Sequence, residues 1–175
     1  MDVMPLKVKA SDTDEAIFLM AYGDIYEHSL WVAEGALAAR KANNLDTVGG
    51  LHSAMAAVVA SANEAKQMKL ICAHPDLAGK LAISDTLTEA SKSEQIGAGL
   101  NACSAEEFAE FQHLNTAYKE KFGFPFIIAV KGHDRHSILA AFRARLNNDR
   151  ETEFRTALTE INKIGLFRLA ELAAP

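Results

Sequence analysis

The chain is short of cysteine, of proline and of surplus positive charge, and each shortage narrows what it can be. Two cysteines, Cys72 and Cys103, in 175 residues are too few for a disulfide scaffold or a four-cysteine metal site. Reduced thiols in a cytosol-like compartment are the expectation. Neither cysteine sits in a Cys/His catalytic signature, which argues against a thiol nucleophile. The four prolines and ten glycines are scattered, not gathered into a linker. With no internal repeat or low-complexity tract either, one domain over residues 1–175 is expected. A net charge of −5 gives no basic face for phosphate contacts, which argues against nucleic acid as a partner. A small anionic substrate needs only one or two local cations and stays open. No apolar run approaches the roughly 20 residues of a membrane helix. Met1 to Pro5 carries no basic stretch leading into an apolar one, and Leu172-Ala173-Ala174-Pro175 is not a Ser-Lys-Leu address. A cytoplasmic protein without a membrane partner is expected.

What is present is an ordinary globular composition, 49% hydrophobic and 23% charged, patterned mainly at helical spacing. Ser11-Asp12-Thr13-Asp14 is a capping signal for a helix with Ile17, Phe18 and Ala21 on one face. Leu30 to Lys41 predicts a second helix with Trp31, Leu37 and Ala38 inward, stopped by Asn43-Asn44. Ala-rich Leu51 to Ala60 reads as a buried helix. Asn63 then caps Glu64 to Ala73, with Ala65, Met68 and Cys72 spaced for one face. Ser104-Ala105-Glu106-Glu107 is a capping box for a helix through Phe108, Phe111, Leu114 and Tyr118, ended by Gly123. Phe124 to Val130, broken by Pro125, predicts a buried extended segment. Helices follow at Asp134 to Leu146 and from Asp149 towards Leu172. The fold class expected is an all-α single-domain bundle of about eight helices with an irregular apolar segment near 124–130.

The chemistry-bearing candidates are few. Cys72-Ala73-His74-Pro75-Asp76-Leu77 places an imidazole beside a proline that restricts its backbone, and Ser91-Lys92-Ser93-Glu94-Gln95 follows with a carboxylate and an amide. A histidine and a carboxylate in one pocket form a proton-transfer pair suited to neutral pH. Each also has a structural reading. His74 suits a helix C-terminus, where a cation complements the dipole, and Ser91-x-x-Glu94 matches a capping box. The helix start at Ser91 to Gln95 would equally present N–H groups and polar side chains to an anionic ligand. The Phe126-Ile127-Ile128-Ala129-Val130 run is core, yet an irregular backbone can offer its own N–H and C=O groups to a planar, amide-like ring. His133-Asp134-Arg135-His136 is best read as a solvated helix start, since no second metal-ligand set supports it. Arg168 reads most simply as a surface arginine; the rival reading puts it on the semi-buried face, four residues after Ile164 and seven after Ile161, where an arginine needs an anion from the protein or a substrate.

In register along the chain, several segments resemble one family. They are Glu27-His28-Ser29-Leu30-Trp31-Val32-Ala33, Ala73-His74-Pro75-Asp76-Leu77, Ser91-x-x-Glu94-Gln95-x-x-Ala98-Gly99-Leu100, Leu114-Asn115-x-x-Tyr118, Lys121 to Phe126, and Arg145-Leu146-x-Asn148. Their order resembles the OHCU decarboxylases, which act on 2-oxo-4-hydroxy-4-carboxy-5-ureidoimidazoline in urate degradation, from about Phe18 to Leu169. The resemblance implies an all-helical fold, a homodimer, and decarboxylation to (S)-allantoin with no cofactor and no metal. It also implies His74 as catalytic acid/base with Glu94 as its partner. Pro75, Ser91, Lys92, Ser93, Glu94, Gln95 and Phe126 to Val130 become binding walls, and Arg168 an anion contact. The chain departs from the family pattern at Leu30, where proline is frequent, and at Gly165, where alanine is common. Gly165 would loosen the turn presenting Arg168. Two rival readings stand beside this one: a metal-dependent hydrolase using His74, Asp76, His133 and His136, and a helical interaction module in which His74 and Glu94 are caps.

Overall fold

The helical patterning carries through to the architecture. The computed structural model describes residues 3–41, 44–78 and 88–174, so Asn43 of the expected helix stop and Gly79-Lys80 beyond the His74 turn lie outside them. Among the described residues the chain forms eight α-helices and no strand, in agreement with the all-α expectation. They are α1 Glu15–Tyr22, α2 Leu30–Ala38, α3 Val48–Ser61, α4 Glu64–Cys72, α5 Glu89–Gly97, α6 Ala105–Phe122, α7 Arg135–Arg145 and α8 Arg150–Glu171. The residues group into two compact units, Met1–Ala73 with Asn162–Pro175, and His74–Ile161.

In the first unit α1 packs on α2 and α2 on α3. The chain before α1 is tied down by backbone bonds, from Leu6 N–H to Asp46 O and from Ala174 N–H to Pro5 O, both 2.8 Å. Asp14 caps α1, accepting from Ile17 N–H at 2.9 Å. The inward face differs from the expected one: Phe18 and Tyr22 are buried and Ile17 is 45% exposed. Phe18 and Tyr22 are one turn apart and their rings meet edge to face at 5.0 Å, which outweighs a single aliphatic. In α2 the buried residues are Val32, Ala33, Ala36 and Leu37. Ala38 is exposed and Trp31 half-buried, with the Lys66 ammonium 5.0 Å above the Trp31 ring. The helix also stops at Ala38, short of Lys41.

Asn63 caps α4 as expected, accepting from Lys66 N–H at 2.9 Å. Its buried residues, however, are Leu70 and Ile71, whereas Ala65 and Cys72 are exposed. Two large aliphatics remove more apolar area from water than an alanine and a thiol, and they set the face. Gly165 does not loosen α8, which runs unbroken through it. A Cβ there would lie 3.0–3.1 Å from carbons of the Tyr26 ring. The missing side chain makes room for that ring.

The second unit is organised around α6. Its start is the expected capping box, Ser104 N–H donating to Glu107 Oε2 at 2.8 Å and Glu107 N–H to Ser104 Oγ at 3.2 Å. It ends at Gly123 with φ +82, a left-handed cap that glycine adopts without a Cβ clash. Tyr118 sits at the centre of an aromatic cluster with Phe122, Phe126 and Phe142 at 4.5, 5.3 and 5.8 Å. Phe124 to Val130 is buried and irregular, as expected. Asp134 caps α7, and Asp149 accepts from Thr152 N–H at the start of α8, both at 2.8 Å.

Candidate active site

His74 lies just past the C-cap of α4 and is 8% exposed. The turn that follows is built unusually. Ala78 has φ +49, in the left-handed region where a side chain is strained. Its peptide groups are held on both sides: Ala78 N–H donates to Gln95 Oε1 at 3.2 Å, and Gln112 Nε2 donates to Ala78 O at 2.9 Å. Asn115 Nδ2 donates to Leu77 O at 2.9 Å, and Lys119 Nζ reaches Asp76 Oδ2 at 2.6 Å. Four side chains from α5 and α6 therefore hold the residues immediately after His74 and Pro75.

The first turn of α5 also differs from the simplest reading. Its cap is Thr88, whose Oγ1 accepts from Ser91 N–H at 3.2 Å. Ser91 is inside the helix, so Ser91-x-x-Glu94 is not a capping box. Ser91, Glu94 and Gln95 share one helix face. Ser91 and Gln95 are each 5% exposed, with Glu94 partly exposed. Lys92 is half-buried and pairs with Glu89 at 3.0 Å, while Ser93 is exposed. The Gln95–Ala78 bond sets this face against the turn that His74 begins.

The wall candidates Phe126, Ile127, Ile128, Ala129 and Val130 are all buried, between 1% and 8% exposed. Their backbone is held by side chains: Arg145 Nη1 donates to Ile127 O at 2.6 Å, and Ala129 N–H donates to Glu160 Oε2 at 2.8 Å. Arg168 belongs to the other unit and is 7% exposed. The anion its apolar surroundings require is Glu27, 1% exposed, whose Oε2 lies 2.9 Å from Nη1. The same nitrogen donates to Ile25 O at 3.2 Å.

The residues of the metal reading are engaged elsewhere. Asp76 is paired with Lys119, His133 Nδ1 lies 3.2 Å from Ser137 Oγ, and His136 Nδ1 lies 3.4 Å from Glu107. Among the described residues no group of three His, Cys, Asp or Glu side chains is placed to hold a metal ion. Residue-by-residue reading missed Gln112, Asn115, Arg145 and Glu160. The resemblance had put Asn115 and Arg145 inside two of its motifs without a role.

A family model described as OHCU decarboxylase matches residues 11–170. The chain belongs to the OHCU decarboxylase family. Membership makes it a carboxy-lyase. It is 44% identical over 158 residues to the 2-oxo-4-hydroxy-4-carboxy-5-ureidoimidazoline decarboxylase of Haloferax volcanii, covering 90% of each chain. It is also 44% identical over 150 residues to the uric acid degradation bifunctional protein PucL of Bacillus subtilis, covering 86% of this chain and 29% of that one. A crystal structure of (S)-allantoin synthase superposes with a TM-score of 0.71 at 32% identity, over 94% of this chain and 54% of that one. An OHCU decarboxylase crystallised in the presence of (S)-allantoin shares the fold, with a TM-score of 0.68 at 24% identity over 87% of this chain and 96% of that one. Among the described residues no helix is long and apolar enough to cross a membrane.

Proposed function

We propose that this OHCU decarboxylase family member converts 2-oxo-4-hydroxy-4-carboxy-5-ureidoimidazoline to (S)-allantoin in urate degradation, without a cofactor. The observation that carries the reading is the Gln95–Ala78 hydrogen bond. It ties the α5 face bearing Ser91, Glu94 and Gln95 to the turn opened by His74 and Pro75. An imidazole and a carboxylate carried on two tethered elements are the components of an acid/base pair.

The substrate explains why so little machinery is needed. The carbon bearing the hydroxyl also bears the carboxylate, and its ring neighbour is joined to nitrogen by a double bond. When the C–C bond to the carboxylate breaks, CO2 leaves and its electron pair forms a new ring C=C. The C=N electrons move onto nitrogen, which takes a proton. The hydroxyl proton then leaves as C=O forms, and the neighbouring carbon gains a proton on one face. The substrate is its own electron sink, the role a cofactor plays in other decarboxylations. The protein is left to orient the ring, exclude water and move protons. His74 serves as the acid/base for the hydroxyl and the new C–H, with Glu94 assisting. Pro75, Ser91 to Gln95 and Phe126 to Val130 are the binding walls. Arg168, beside Glu27, contacts an anionic group of the substrate; a guanidinium has five N–H donors for such sharing.

The single family match over residues 11–170 supports treating 1–175 as one helical domain. A homodimer, implied by the resemblance, and a cytoplasmic location, expected from the sequence, complete the reading; the dimer is checked by light scattering on the purified protein. The activity is tested by adding chelator-treated protein to freshly generated substrate and following the product by circular dichroism. Accumulation of (S)-allantoin well above the protein-free rate is expected. Optically inactive product formed at the protein-free rate would refute the assignment.

A further inference from the structure

The Phe124 to Val130 segment has no helix or strand ladder of its own, so its buried peptide groups need partners from elsewhere. Two of them are given ionic side chains. Arg145 of α7 holds Ile127 O at 2.6 Å and Glu160 of α8 holds Ala129 N–H at 2.8 Å. These two groups flank Ile128, the middle of the wall.

Arg145 is itself immobilised. Its Nε and Nη2 lie 2.9 and 2.8 Å from Glu153 Oε2. The guanidinium carbon sits 4.3 Å from the centre of the Phe126 ring, which stacks on Phe142 at 3.8 Å. Glu153 is 0% exposed and also accepts from the Tyr118 hydroxyl and from Asn148 Nδ2, the latter at 2.7 Å. Buried ion pairs are poor sources of stability, because desolvation offsets most of their attraction. Four polar side chains gathered under one wall are better explained by geometry: they give the guanidinium a single orientation, with Nη1 aimed at Ile127 O. Lysine cannot substitute, since one ammonium cannot stack on Phe126, pair with Glu153 and reach Ile127 O together.

We propose that Arg145 and Glu160 are positioning residues that grip the backbone on both sides of Ile128 and so set the shape of the substrate wall, with Glu153 orienting Arg145. The proposal rests on the reading of residues 126–130 as that wall. Loosening the grip weakens substrate binding and leaves the proton transfers at His74 largely intact.

The test compares Arg145→Lys, Glu160→Ala, Glu160→Gln and Lys121→Met in steady-state decarboxylation and thermal melts. Lys121 Nζ bonds Leu146 O and Asn148 O in the same neighbourhood, at 2.6 and 2.9 Å. Arg145→Lys and Glu160→Ala are expected to raise KM about tenfold with kcat changed less than about threefold. Glu160→Gln keeps an acceptor for Ala129 N–H and is expected to restore KM to near wild type. Lys121→Met is expected to lower Tm alone. Unchanged KM in Arg145→Lys and Glu160→Ala would overturn the proposal, as would an equal KM rise in Lys121→Met. Should Arg145→Lys fail to fold, the two variants of half-buried Glu160 decide. His74→Ala, run alongside, separates the causes. Inactive His74→Ala with unmoved KM in the grip variants sinks the grip alone, and fully active His74→Ala sinks the site reading and the grip with it.

Discussion

Arg145 with Glu153 and Arg168 with Glu27 are alike on paper: each is a largely buried guanidinium that meets a carboxylate and a backbone carbonyl. Their surroundings differ. Arg145 gives Nε and Nη2 to Glu153 and Nη1 to Ile127 O, and lies flat on Phe126. Its carboxylate is shared with Tyr118 and Asn148. In the other pair Nη1 of Arg168 serves both Glu27 and Ile25 O. The comparison shows that an arginine on an apolar stripe does not announce a substrate. The protein itself supplies an anion to each. What separates a structural arginine from a binding one is whether its loss moves turnover when stability is restored.

The largest expected effect comes from Glu153→Leu, which leaves Arg145 charged and largely shielded from water without its carboxylate. A loss of about 3–5 kcal/mol is expected in denaturant unfolding, with a large part recovered in Arg145→Met/Glu153→Leu. No recovery would mean the carboxylate matters for reasons other than the pair. Next in size, the proposed substrate contact of Arg168 predicts that Arg168→Lys lowers kcat/KM by about a hundredfold, since an ammonium cannot serve Glu27, Ile25 O and that anion together. Arg168→Met/Glu27→Leu should regain stability and remain inactive; a double variant with normal turnover would make Arg168 a structural residue alone.

A smaller change is expected in the turn after His74. Ala78→Gly relieves the left-handed strain and should raise stability by about 1 kcal/mol, read as an upward shift in Tm. A lowered Tm would show that the Ala78 methyl packs better than its backbone is strained. The smallest effect is at the helix starts. Backbone N–H bonds from Ser137 and Thr152, followed by those residues' hydroxyls, hold the carboxyls of Asp134 and Asp149 below the ordinary aspartate range. A lowered folded-state pKa favours the native state at neutral pH, and that contribution disappears as pH falls through the lowered value. Melts from pH 7 into the acid range should therefore fall less steeply for Asp134→Asn than for the native chain.

Local features were legible in the sequence, and features that depend on distant partners were not. Asn63, Ser104 with Glu107, Asp134 and Gly123 all act within one helical turn, so their spacing alone revealed them. The α4 face is ambiguous in sequence, because Ala65, Met68 and Cys72 satisfy the same periodicity as the face that Leu70 and Ile71 occupy. Ser91 has the spacing of a cap, but Thr88, three residues earlier, offers the same hydroxyl and takes that place. Of the proposed site, His74 and Glu94 also fit ordinary helix-end patterns and stand out through the in-register family motifs, whereas the irregular 124–130 segment stands out by Pro125 and the flanking Gly123 and Gly132. The bonds that relate them, Gln95 to Ala78, Asn115 to Leu77 and Arg145 to Ile127, join residues 17, 38 and 18 positions apart. Nothing at either end of such a bond signals the other.

The central claim is that His74 and Glu94 carry the proton chemistry of a cofactor-free decarboxylation. Turnover of freshly generated 2-oxo-4-hydroxy-4-carboxy-5-ureidoimidazoline by His74→Ala and Glu94→Ala tests it most directly, with folding checked by circular dichroism and Tm. Both variants are expected to fold and to lose at least about a hundredfold in kcat, the usual range for a removed acid/base group. Folded variants that turn over at the native rate would contradict the account.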